Sequence, residues 1–84
     1  MNQSELKMVP KHAMKNRNAI ESSDSCACYR CCKTFEKSKI IEWTDQNKTA
    51  ICPECGCDTI IARISNLPFD ESSLRAMKKY WFEK

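Results

Sequence analysis

Cys28-Tyr29-Arg30-Cys31, followed after twenty intervening residues by Cys52-Pro53-Glu54-Cys55-Gly56, is the stretch of sequence on which the fold turns. Two residues between cysteines let the backbone curl into a tight knuckle that aims both sulfurs at one point, and two such knuckles supply the four thiolates of a closed tetrahedral site. Gly56, directly after Cys55, suits the positive φ with which a knuckle turns back. Cys32 holds the corresponding place after the first knuckle. The pattern predicts one zinc ion per chain, held by Cys28, Cys31, Cys52 and Cys55, with iron the commonest substitute in a tetrahedral thiolate site.

Working outward, Lys39-Ile-Ile-Glu-Trp-Thr44 is rich in strand-favouring side chains, Asp45-Gln-Asn47 reads as a turn, and Lys48-Thr-Ala-Ile51 returns, so a hairpin joins the knuckles. Thr59 to Ile64 offers a third strand, with Ile60, Ala62 and Ile64 on one face and Ile61 and Arg63 on the other. Beyond it, Asp70 is a good N-cap and Glu71 favours a first turn, while Leu74, Met77 and Trp81 form one stripe, predicting a helix over 71–82. Phe69 and Leu74 have the spacing of a hydrophobic staple across its start. Before the cysteines, Ala13, Arg17 and Ile20 recur at helical spacing and predict a weaker helix over 11–22, opposed by Asn16 and Asn18 and ended by Ser22 to Ser25. The expected architecture is a small, metal-stabilised α+β zinc ribbon. It comprises a polar segment with a short helix (1–25), a three-stranded antiparallel ribbon (26–64) and a helix packed on the ribbon (65–84).

Size supports a metal. A chain of 84 residues buries too little surface to rest comfortably on apolar packing alone, and zinc binding supplies on the order of ten kcal/mol to small domains. Compartment supports it too. The opening residues lack the apolar core and cleavage site of a secretory signal, and no apolar run approaches the roughly 20 residues needed to span a bilayer. The expectation is a cytoplasmic protein without a membrane partner, where thiols stay reduced and paired cysteines hold metal more often than each other. Seven cysteines also cannot form a closed disulfide set.

Three cysteines remain. Cys26 stands one residue from Cys28, poor spacing for a knuckle, and Cys32 and Cys57 flank the two knuckles as small, partly buried thiols, with a second metal or a redox pair as the sharper alternative. His12, the only histidine, lies far from the knuckles and is expected on an exposed helix face. No catalytic residues are expected: four thiolates leave a metal no open position for an activated water. Nor is there a second histidine or a phosphate-binding glycine loop.

Function must then lie on the surface. The formal charge of +3 is spread evenly, +1 over each of 1–25, 26–64 and 65–84, so no segment is a basic arm. Tyr29 and Arg30 occupy the loop of the first knuckle, where Tyr29 either packs on the hairpin or stacks on a ligand. Arg75, Lys78 and Lys79 give the C-terminal helix a basic face, and its apolar stripe is expected to meet the side of the hairpin carrying Ile41 and Trp43. Tyr80 and Phe82 fall off that stripe, and leftover apolar area marks a partner contact. The reading is a protein-interaction adaptor or self-associating module using Tyr29, Arg30, Arg75, Lys78, Lys79, Tyr80 and Phe82. The alternative is a nucleic-acid-binding ribbon using Tyr29, Arg30, Lys33 and the Arg75/Lys78/Lys79 face.

The run Cys26-Ala-Cys-Tyr-Arg-Cys31, with Phe35, Ile40, Ile41-Glu-Trp43, Thr49-Ala-Ile-Cys-Pro-Glu-Cys-Gly56, Asp58 and Lys79-Tyr-Trp-Phe82, resembles a family of short bacterial and prophage cytoplasmic zinc-ribbon proteins over roughly residues 12–83. The resemblance implies the ribbon fold and its zinc and carries no assigned activity. Ala27 replaces the family's usual glycine, and Cys32 and Cys57 stand where it commonly has other residues.

Overall fold

β1 (Ser25–Cys28) runs directly into the first knuckle and forms the middle of a three-stranded antiparallel sheet in the computed structural model, which describes residues 3–63, 67 and 70–83. β2 (Thr34–Glu36) flanks it with Phe35 opposite Cys26, and β5 (Ile60–Ala62) flanks the other side with Ile61 opposite Ala27. β3 (Glu42–Thr44) and β4 (Thr49–Ile51) make a separate two-stranded sheet. The helices are α1 (Gln3–His12), α2 (Arg17–Glu21) and α3 (Glu71–Phe82).

The expected hairpin and third strand are both present, but they do not share a sheet. β5 pairs with the chain leading into the first knuckle. The reason lies in β1, whose Cys26 and Cys28 face one way and Ala27 the other, all fully buried. A strand buried on both faces belongs in the middle of a sheet. Reading Cys28 as a ligand and Cys26 as a leftover thiol concealed that role.

Two cores follow from this alternation. Cys26, Cys28, Ile60 and Ala62 pack against Ile20, Ile40, Ala50 and Cys52, joining the two sheets. Ala27, Tyr29 and Ile61, on the opposite face, pack against Val9, Ala13, Leu74 and Met77 of the helical layer. The face assignment expected for β5 is therefore observed at Ile60, Ile61 and Ala62; Ile64 lies outside the described residues.

α3 has the expected bounds. Asp70 caps it, its Oδ2 accepting from the Ser73 N–H at 3.2 Å. Phe69, the other half of the expected staple, lies outside the described residues. The stripe of α3 does not meet Ile41 and Trp43, contrary to expectation. It packs on α1 and the outer face of the three-stranded sheet. Ile41 is 79% exposed, while Trp43 packs on the inter-sheet core with the Arg17 guanidinium 4.5 Å from its ring centroid.

The N-terminal expectation needs a larger correction. The helix predicted over 11–22 is broken by a turn in which Lys15 takes φ 47°, and α1 extends back to Gln3. Asn16 explains the break. Its side chain makes no helix cap; Nδ2 donates instead to the carbonyls of Ile60 (2.7 Å) and His12 (3.1 Å), and Oδ1 accepts from the Ala50 N–H (3.3 Å). A weak helix former is here the polar tie between the two sheets and the end of α1. Pro10 has a related effect inside α1, because it cannot donate the bond that a helix would return to the Leu6 carbonyl. The indole Nε1 of Trp81 donates to that carbonyl instead, at 2.8 Å.

Candidate metal centre

Each knuckle begins where a strand delivers a buried cysteine. β1 ends in Cys28, and β4 is followed by Cys52. The two knuckles then repeat the same bonds. Arg30 and Cys31 N–H donate to Cys28 Sγ at 3.3 and 3.4 Å, as Glu54 and Cys55 N–H do to Cys52 Sγ at 3.4 and 3.5 Å. The Cys32 N–H closes the first loop on the Cys28 carbonyl at 2.8 Å, and the Gly56 N–H closes the second on the Cys52 carbonyl at 2.9 Å. At the base, Cys28 N–H donates to the Lys33 carbonyl (3.0 Å) and Cys52 N–H to the Cys57 carbonyl (2.8 Å).

The equivalence extends to backbone conformation. Gly56 has φ +73°, as its sequence suggests, and Cys32 is held at φ 61° in the matching place. This conformation costs a residue with a Cβ about 1–2 kcal/mol. Nothing lies within 4 Å of a Cβ added at Gly56, so Gly56→Ala should destabilise through φ alone, by about 1 kcal/mol. Cys32→Gly should be at least as stable as the parent, whereas Cys32→Val should lose about 1–2 kcal/mol. Denaturant midpoints at saturating metal test both; a less stable glycine variant would show that thiol packing outweighs strain.

The repeat brings four sulfurs together. Cys28 Sγ lies 3.6 Å from Cys55 Sγ, Cys31 Sγ lies 3.7 Å from Cys52 Sγ, and all four lie within 4.8 Å of one another. Disulfide sulfurs would be about 2.0 Å apart. Among the described residues, no other group of cysteine, histidine or carboxylate side chains converges in this way. The four could hold a metal ion.

The thiols of the cluster differ in how readily they ionise. Burial pushes the Cys52 and Cys31 thiols up, so unaided ionisation of the cluster is unfavourable. Burial also opposes ionisation of Cys28, but the Thr59 hydroxyl at 3.0 Å and the two amide donors outweigh it and bring that thiol down. Thr59 was not anticipated as a supporting residue, since its sequence context marks only the start of a strand.

The other cysteines stay outside the cluster. Cys26 is buried in β1 opposite Phe35, its Sγ 3.6 Å from the Phe35 carbonyl, and burial pushes its thiol up to about 11. Cys57 Sγ accepts from Arg30 Nη1 at 3.3 Å. Cys32 packs at the edge of the helical core. His12 ends α1 and joins no ligand group.

The residues expected on an interaction surface divide. Tyr29 is 4% exposed, and it packs in the helical core rather than on the hairpin or in solvent. Its ring stacks on Phe82 at 5.7 Å between centroids, and Arg30 lies 5.3 Å from the other ring's centre. The first knuckle's tip and the end of α3, read separately in the sequence, thus meet. Tyr80 stands edge-on to Trp81 at 5.1 Å. Arg75 forms an ion pair with Glu71 at 2.7 Å, and Lys33 approaches Glu54 at 3.9 Å across the knuckles. Arg75, Lys78 and Lys79 do share a cleft of about 310 Å³ with Cys31, Cys32 and Glu83. No described helix is long and apolar enough to cross a membrane. Compared with models of known protein families, with curated proteins and with solved structures, the chain matches none.

Proposed function

We propose that the chain is a binding module organised by one structural zinc ion on Cys28, Cys31, Cys52 and Cys55. The convergence of four sulfurs within 4.8 Å carries this reading. Zn–S bonds of about 2.3 Å in a tetrahedron separate sulfurs by roughly 3.8 Å, close to the 3.6 and 3.7 Å found. Four thiolates complete the coordination shell, so the ion serves the fold and supplies no reactive position. Purified protein should contain one equivalent of zinc, replaceable by cobalt with a tetrahedral thiolate spectrum; substoichiometric metal, or an octahedral cobalt spectrum, would sink the assignment.

The exposed ligand of this module is, in our reading, single-stranded nucleic acid. Packing takes up much of the aromatic area that favoured a protein partner, whereas Arg30 is exposed beside the first knuckle and Arg75, Lys78 and Lys79 line the adjoining cleft. The protein-adaptor reading retains Ile41, 79% exposed, and Phe82, 41% exposed, as its support. A salt titration separates the two. Binding of an oligonucleotide that weakens steeply with salt favours nucleic acid; absence of binding at low salt, with self-association or a stable protein complex, favours the adaptor.

A further inference from the structure

At the tip of the β3–β4 hairpin a cleft of about 560 Å³ is lined by Lys15, Arg17, Asn18, Gln46, Asn47 and Lys48. Three cations and three amides face it, and no carboxylate lines it. An adjoining hollow of about 260 Å³ is shared by Lys15, Gln46, Lys48 and Asp45. The Asp45 Oδ2 is engaged by the Thr49 hydroxyl at 2.9 Å. Arg17 is held in place before any ligand arrives: Nη1 donates to the Asn47 carbonyl at 2.9 Å, Nε lies 3.6 Å from Glu21, and the guanidinium rests over Trp43.

The backbone here is unusual. Lys15, Asp45, Gln46 and Asn47 all have positive φ, at 47°, 53°, 60° and 66°; the remaining non-glycine residue of this kind among those described is Cys32 in the knuckle. The consecutive positive φ values of Asp45, Gln46 and Asn47 close the tight turn between β3 and β4 and fix the direction in which Gln46 and Asn47 project. The segment is anchored from below by the Lys15 N–H to Thr49 Oγ1 (2.8 Å) and the Arg17 N–H to the Lys48 carbonyl (3.0 Å).

We infer that this cleft grips single-stranded nucleic acid, with Lys15, Arg17 and Lys48 on the phosphodiester and the Asn18 and Gln46 amides on base edges. The inference rests on the nucleic-acid reading and moves its principal contact from the knuckle to the opposite end of the hairpin. The carboxylates of an acidic peptide would satisfy the cations as point acceptors, but they offer no flat edge carrying a donor beside an acceptor for the side-chain amides. Base edges present donors and acceptors together, which is what asparagine and glutamine pair with. The even spread of charge along the chain hid this site, because Lys15 and Arg17 meet Lys48 through long-range backbone bonds, from Lys15 N–H to Thr49 and from Arg17 N–H to the Lys48 carbonyl.

A fluorescein-labelled uridine oligomer of about 12 nucleotides, titrated with the zinc-loaded chain at about 50 mM salt, provides the test. Lys15→Gln/Lys48→Gln should weaken binding about tenfold and flatten the log–log salt slope by roughly 1.4, the value for two lost phosphate contacts on a single strand. Gln46→Ala should weaken binding several-fold with the slope unchanged, an effect that loss of general positive charge cannot produce. The charge-matched Lys37→Gln/Lys39→Gln chain should stay within twofold of the parent. If the hairpin-end pair changes nothing while Lys78→Gln/Lys79→Gln abolishes binding, the inference fails and the nucleic-acid reading stands. If both lysine pairs and the Lys37/Lys39 control weaken binding equally, with Gln46→Ala silent, no built cleft exists. If the parent does not bind, both fall. Unaltered thermal unfolding of each variant ensures that the comparison concerns the surface.

Discussion

A Cys52→Ser chain should be unfolded at room temperature, and removing metal from the parent with a strong chelator should give the same state. Structural zinc contributes on the order of ten kcal/mol in small domains, as large as the whole net stability of a typical one. The position of Cys52 makes the dependence acute. Cys28 and Cys31 continue from the three-stranded sheet, Cys52 and Cys55 from the two-stranded one. Beside the apolar contacts of the inter-sheet core and the Asn16 bridge, an ion held on these four sulfurs would fasten one sheet to the other. Near-ultraviolet circular dichroism of Trp43 and Trp81 should collapse in the variant and on chelation and return when zinc is restored to the parent. Cys57→Ser, by contrast, should keep both metal and spectrum. A Cys52→Ser chain with the parent's spectrum and midpoint would mean that the sulfurs converge without a metal role.

The next largest effect is expected at Asn16. Alanine there removes three hydrogen bonds and leaves the Ile60 carbonyl and the Ala50 N–H without their buried partner. Each unsatisfied group costs about 1–3 kcal/mol, so the total should fall near 2–4 kcal/mol, equivalent to a drop of roughly 10–25 °C in a domain this size. Asn16→Asp should be at least as damaging at neutral pH, since a carboxylate would face the carbonyls of Ile60 and His12 with no proton to offer. Thermal unfolding at saturating zinc measures this directly. A loss below about 0.5 kcal/mol for Asn16→Ala would show that water or a shifted backbone replaces the amide.

The same residue illustrates what the sequence could and could not convey. Local signals were sufficient where one mechanism acts alone. The convergence of the four sulfurs follows from spacing, Gly56 from its need for positive φ, the hairpin from its turn residues, and α3 from Asp70 and the Leu74/Met77 stripe. Residues with two roles were misread. Cys28 reads as a ligand and also ends the central strand; Asn16 reads as a poor helix residue and is a tertiary bridge. Tyr29 was placed by its knuckle and not by the helix that covers it. The cationic cleft was invisible because Lys15 and Lys48 are separated by the entire first knuckle and β1, and the bonds from Lys15 N–H to Thr49 and from Arg17 N–H to the Lys48 carbonyl join the two segments only in the folded chain.

The Trp81 indole bound to the Leu6 carbonyl has a consequence for the order in which the molecule assembles. These residues are 75 apart in sequence, so docking α1 against α3 closes almost the whole chain into a loop, a step whose entropic penalty is repaid only after the knuckles and sheets have shortened the path. The seam is therefore expected to close late in folding. In the native protein it should be among the first regions to open, with amide exchange in α1 outpacing exchange in β1 and β5.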